Sequence, residues 1–170
     1  MTNDLQAANS TSQEKRGGKH LIFQLEKRDY GVPILTVNEI IGIMNITPIP
    51  KAPSFVKGII NLRGKIIPIM DLRLKFDMPE KEHDDETCII IVNTMVNNVE
   101  KQVGVIVDIV SEVVDIPDDE IENPPQYDSH SHRDFISGIG KVKDQVVIIL
   151  DVEKVISDEM TELLSNDVKN

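Results

Sequence analysis

The chain has 170 residues and a formal net charge of -11, with 18 Lys and Arg against 29 Asp and Glu. That balance works against generic attraction to nucleic-acid phosphates or anionic lipid, and the length allows one ordinary domain or two very small ones folded together. One cysteine, no tryptophan and 4% aromatic residues exclude an internal disulfide framework and, in a chain rich in Ile and Val, favour strands over helices.

No stretch approaches the ~20 apolar residues of a membrane-spanning helix, and the opening MTNDLQAANSTSQEKRGGKH lacks the apolar centre of a secretory signal. A reducing cytoplasm is the expected compartment, without direct membrane insertion. Residues 1–19 are polar and mixed in charge, which predicts a disordered tail. In HLIFQLEKRDYGVPIL, Leu21, Phe23 and Leu25 alternate with Ile22, Gln24 and Glu26 before the turn signal KRDYG, the pattern of a hairpin. LTVNEIIGIMNITPIP alternates after an ambiguous first turn and ends at Pro48 and Pro50, neither of which suits a central strand. KAPSFVKG then reads as a loop with one helical turn.

GIINLRGKIIPIMDL, residues 58–72, predicts strand, tight turn, strand. Gly64 supplies the positive φ of a short hairpin loop, and Arg63 stands at the tip. Apolar residues fall on both parities of the arms, as closed or stacked small sheets require. DMPEKEHDDET has no apolar period and reads as a connector. TCIIIVNT, QVGVIVDIV, SEVVDIP, DFISGIGKV and DQVVIILDV then repeat the grammar of the first half, short strands bounded by turn residues, which predicts small barrels or a sandwich. In DVEKVISDEMTELL the period changes: Val152, Val155, Ile156, Met160, Leu163 and Leu164 fall at helical spacing behind Asp151 as N-cap, predicting a closing amphipathic helix.

Few residues suggest chemistry. In YDSHSHRD, His130 and His132 lie two apart near Asp128 and Asp134, but structural zinc wants four ligands, and no Cys pair or HExxH accompanies them. A solvated loop is the simpler reading; the alternative is a small-molecule or metal-binding β-barrel protein using this loop or a cleft between barrels. His20 and His83 fall in the polar tail and the acidic connector. Cys88, inside CIIIV, reads as a small buried hydrophobe, the glycines of SGIG as a strand bend, and Asp118, Asp119 and Glu120 as solvating charge. No nucleophile, base and oxyanion donor can be assembled, so neither an enzyme nor a cofactor is expected. Arg63 carries two readings, a turn residue paired with a neighbour or an interface anchor that makes bidentate bonds. Glu39 and an exposed Val37 in LTVNEII raise the same question.

YGVPILTVNEI, PSFVKGIINLRGKIIPIMDLRLKF, VGVIVDIVSEVVDI and FISGIGKVKDQVVIILDVEKVI, in that order, resemble the CheW-like domain family of bacterial chemotaxis coupling proteins. The resemblance spans residues 20–164 as a single domain, leaving 165–170 as a tail. It implies a mostly β fold of two five-stranded SH3-like barrels sharing an apolar core. The first would cover approximately 20–79, with the C-terminal region returning to it, and the second approximately 86–150. It also implies a scaffold without catalysis. Its partners would be the regulatory domain of the histidine kinase CheA, the cytoplasmic hairpin tip of chemoreceptors, and other CheW-like domains in rings. Receptor arrays would then hold the protein at the inner membrane face. By motif, Val37, Glu39 and Arg63 would serve receptor coupling, with Gly64 as the structural turn; the kinase contact would lie on the second barrel at residues the resemblance does not specify. NTMVNNVEKQ, at 93–102, is longer than the family's usual hairpin connection, and QYDSHSHRD is peculiar to this chain.

Overall fold

The computed structural model describes residues 16–125, 135–156 and 160. Among the described residues there are eleven strands: β1 (Gly18–Leu25), β2 (Arg28–Pro33), β3 (Val37–Gly42), β4 (Val56–Leu62), β5 (Lys65–Asp71), β6 (Cys88–Val96), β7 (Val99–Val107), β8 (Ile109–Ile116), β9 (Ile121–Glu122), β10 (Ile136–Val142) and β11 (Gln145–Leu150). Two short helices, α1 (Leu72–Lys75) and α2 (Val152–Val155), follow β5 and β11, and single 3-10 turns occupy Ile34–Thr36 and Asp118–Glu120. The predominance of strands agrees with the composition.

The strands form two sheets, one of five in the order β3-β6-β7-β5-β4 and one of six in the order β8-β1-β2-β11-β10-β9. The expected division into 20–79 and 86–150 is therefore corrected. Residues 37–107 build one sheet without interruption, whereas the N-terminal hairpin β1–β2 joins β8 to β11 from the other end of the chain. The hairpin docks there because β2 pairs in parallel with β11, Tyr30 opposite Ile148, while β1 pairs with β8. Both sheets curl until their edges approach. In the five-stranded sheet the seam is closed beyond β3 by a bridge, Thr47 N–H to the Ile59 carbonyl at 2.8 Å and Ile59 N–H to the Thr47 carbonyl at 2.9 Å. Gly58 makes this approach possible at φ 142°, because a Cβ there would collide with the Thr47 carbonyl.

The two sheets are copies of one plan. β4, β5 and α1 correspond to β10, β11 and α2: Phe55 with Phe135, Gly58 with Gly138, Arg63 with Lys143, Asp71 with Asp151. The Asp71 N–H donates to the Phe55 carbonyl at 2.7 Å and the Asp151 N–H to the Phe135 carbonyl at 2.8 Å. Each aspartate caps the helix after it, its carboxylate accepting from the N–H groups of Arg73 and Leu74 or of Glu153 and Lys154. β6 and β7 likewise match β1 and β2: Gly104 lies opposite Ile91 and beside Ile69, as Gly31 lies opposite Ile22 and beside Ile149. Strands β3 and β8 also correspond, with Val37 at the place of Val110 and Glu39 at that of Glu112, each pair separated by a bulge.

Three apolar clusters follow from this plan. One face of each sheet contributes to the cluster between the units, where Leu21, Phe23 and Val32 meet Ile90, Val92 and Val105. Ile60, Ile67, Ile69, Ile89, Ile91 and Ile106 fill the five-stranded unit, and Ile22, Ile116, Ile121, Val147 and Ile149 the six-stranded one. Strands with apolar side chains on both faces need this arrangement, since each face meets a different interior.

Several expectations change at the ends of the chain. The tail expected over 1–19 stops earlier: β1 begins at Gly18, and Arg16 donates to Asn123 Oδ1 at 2.9 Å and the Ser137 carbonyl at 3.0 Å. Residues 1–15 lie outside the described residues. His20, assigned to that tail, is 1% exposed within β1 because it takes the place that Ile89 holds in the other unit. Cys88 is half-buried at the start of β6, its thiol donating to the Glu86 carbonyl at 3.3 Å. Val152, Val155, Ile156 and Met160 are buried as the helical spacing predicted, while Leu163 and Leu164 fall outside the described residues.

Candidate functional site

Arg63 and Gly64 form the two-residue turn between β4 and β5 with φ of 52° and 87°. Both are left-handed, as turns matching the twist of the flanking strands require. Asn61 stabilises the turn by accepting the Gly64 N–H on Oδ1 at 2.8 Å. Gly64 thus has the predicted role, and the structure adds that Arg63 shares its conformation. Glu39 lies on β3 opposite Ile91. Arg63 Nη2 and Glu39 Oε1 form an ion pair, so two residues separated in sequence meet across the seam between the edge strands. Their side chains are 68% and 30% exposed, which makes the pair a weak contributor to stability and leaves the guanidinium accessible. The neighbour reading of Arg63 and its accessibility are therefore compatible.

Val37 differs from its expectation. It is half-buried and packs on the cluster between the units, since the bulge between Val37 and Glu39 turns it inward. The exposed apolar residues nearby are Leu35 and Ile40 instead, and Ile66 follows the turn on β5. The six-stranded unit repeats the last two as exposed Val113 and Val146.

The strongest polar cluster was not anticipated. Asp108 stands between β7 and β8, where the chain passes from one sheet to the other. Arg73 of α1 donates to both its oxygens, from Nε at 2.8 Å and from Nη2 at 2.7 Å, and the Glu26 N–H donates to Oδ2 at 3.0 Å. Arg73 Nη1 also donates to the Pro79 carbonyl at 2.9 Å. Burial pushes the Asp108 carboxyl up, but the Arg73 and Glu26 bonds outweigh it and hold the group below its ordinary value. The neighbouring Asp71 is shifted the other way: burial raises its carboxyl above the ordinary value despite the N–H groups of Leu74 and Arg73. This clamp closes one junction between the units. Neither the spacing of Arg73 and Asp108 nor the repeat of the two halves signals it in the sequence, since the positions that correspond to them hold Glu153 and Leu35.

Among the described residues no group of three or more His, Cys, Asp or Glu could hold a metal ion. His130 and His132 lie outside the described residues. No helix among the described residues is long and apolar enough to cross a membrane.

A CheW-like domain model matches residues 19–160. The chain belongs to the CheW-like domain family. It is 36% identical over 157 residues to the chemotaxis protein CheW of Klebsiella aerogenes, covering 92% of each chain. It is 33% identical over 147 residues to that of Treponema pallidum, covering 85% of each. A crystal structure of the scaffolding protein TtCheW from Thermoanaerobacter tengcongensis matches with a TM-score of 0.75 at 35% identity, covering 85% of this chain and 95% of that one. Two five- and six-stranded sheets are thus the CheW-like arrangement of paired SH3-like units.

Proposed function

We propose that this protein is a chemotaxis adaptor that couples chemoreceptors to the histidine kinase CheA, works in the cytoplasm at receptor arrays, and performs no chemistry of its own. The observation that carries the reading is the accessible ion pair of Glu39 and Arg63 on a rigid seam. It unites two of the three residues that the family resemblance marks for receptor coupling, and it does so within a chain similar along most of its length to proteins named for chemotaxis. Val37 contributes from beneath, holding β3 against the shared core. We assign the contact with the kinase regulatory domain to the end of the six-stranded unit, where Val113 and Val146 are exposed. The counterparts Ile40 and Ile66 offer a second end of the same kind, suited to another CheW-like domain in a ring.

The test is calorimetric titration against a receptor cytoplasmic fragment and, separately, the CheA regulatory domain, both from the protein's own organism. Val113→Asp is expected to weaken kinase binding and leave the receptor fragment unaffected, and Arg63→Glu to do the reverse. Equal loss of both activities by either folded variant would refute the separation of surfaces.

A further inference from the structure

The two ends of the molecule repeat one apolar motif and differ in how their charges are used. Continuing the correspondence of β3 with β8 and of the β4–β5 hairpin with β10–β11 matches Ile40 with Val113, Ile66 with Val146, Glu39 with Glu112 and Arg63 with Lys143. The apolar residues are exposed to nearly the same degree, Ile40 and Ile66 by 43% and 48%, Val113 and Val146 by 49% and 59%. Apolar burial alone therefore gives a partner little reason to prefer one end to the other.

The charges beside those residues do distinguish the ends. On the five-stranded unit Glu39 and Arg63 satisfy each other across the seam. On the six-stranded unit Glu112 and Lys143 keep the same two signs, yet neither makes an ion pair among the described residues, and both are exposed. Lys143 and Asp144 form the turn with φ of 49° and 65°, so Lys143 is held at the tip as Arg63 is and differs in having no partner there. The cation that does find one is Lys141, at the place of Asn61, whose Nζ meets Glu122 of β9 at 2.6 Å. Between β8 and the β10–β11 turn the seam stays open as a cleft of about 740 Å³, with Val114, Lys143 and Val146 in its lining.

A paired carboxylate and guanidinium present almost no net charge to an incoming surface. A free carboxylate and a free ammonium, once covered, must each be met by the opposite charge, and a partner that leaves either unmet loses affinity. We propose that Glu112 and Lys143 set the specificity of the six-stranded end: they admit a kinase regulatory domain that brings a cation to Glu112 and a carboxylate to Lys143, and they reject a surface that is only apolar. The five-stranded end, whose charges are already paired within the chain, imposes no such condition. The inference rests on the adaptor reading, which places the kinase at Val113 and Val146.

The experiment titrates the full chain with the CheA regulatory domain at low and high salt, with the receptor cytoplasmic fragment as the control for a competent protein and Val113→Asp as the variant that blocks this end. Glu112→Lys and Lys143→Glu are each expected to weaken kinase binding about tenfold or more at low salt, with a smaller deficit at high salt as the repulsion is screened. The double variant Glu112→Gln with Lys143→Gln is expected to bind the kinase with a flatter salt dependence than wild type. Receptor binding and the urea unfolding midpoint stay at the wild-type level in all three, because neither residue has a partner within the described chain. Kinase binding that either reversal leaves intact while Val113→Asp abolishes it overturns this proposal alone. Kinase binding that Val113→Asp leaves intact, or that the folded wild type lacks, overturns it together with the placement of the kinase at this end.

Discussion

Replacing Asp108 with Ala removes the carboxylate that receives two charge-assisted bonds from Arg73, at 2.8 and 2.7 Å, and one from the Glu26 N–H. Arg73, 12% exposed, is left with only the Pro79 carbonyl and a 3.9 Å contact to Glu26. Breaking a buried pair by removing one partner costs ~3–5 kcal/mol; the residual exposure places this case near 3. With a urea slope of roughly 2 kcal/mol/M for a chain of this size, the unfolding midpoint should fall by about 1.5 M. The Asp108 carboxyl titrates below its unfolded value, so its contribution is full above the unfolded carboxylate pKa, about 4, and disappears as pH falls through the lower folded value. Wild type and Asp108→Ala should therefore converge in stability under acid. Removing both partners as Arg73→Met with Asp108→Leu should return stability to within about 1 kcal/mol of wild type, since no buried charge is stranded. A midpoint change below about 0.3 M, or a difference unaffected by acid, would refute the clamp.

Gly58→Ala should destabilise by more than about 3 kcal/mol in the same denaturation assay, because the φ of 142° and the Thr47 carbonyl both oppose a side chain. Arg63→Glu should cost about 1 kcal/mol or less and leave the circular dichroism spectrum unchanged, as expected for an exposed pair. Asp151→Ala should cost about 1 kcal/mol through the lost cap of α2; Asp151→Asn, which keeps an acceptor, should recover most of it.

Local structure was readable where one residue decides it. Gly64 at a turn, Asp151 before an apolar helical period, and the alternation in β1 each follow from sterics or hydrogen bonding within a few positions. The partition of strands between sheets was not readable, because β2 chooses β11 over the adjacent β3 through contacts far apart in sequence. His20 shows the same limit: polar neighbours suggested a tail, and only its partners Pro33 and Val114 place it in an interior. At the site, Glu39 and Arg63 could each be singled out from the sequence, but their meeting depends on a barrel seam that no local pattern encodes. Val37 was misread because a bulge shifts the alternation by one residue.

The adaptor reading is tested most directly by calorimetric titration of the purified wild-type protein and Arg63→Glu with the CheA regulatory domain and the receptor cytoplasmic fragment. Saturable one-to-one binding of wild type to both, with Arg63→Glu retaining the kinase and losing the receptor, is the expected result. A folded wild-type protein that gives no saturable heat with either partner would contradict it.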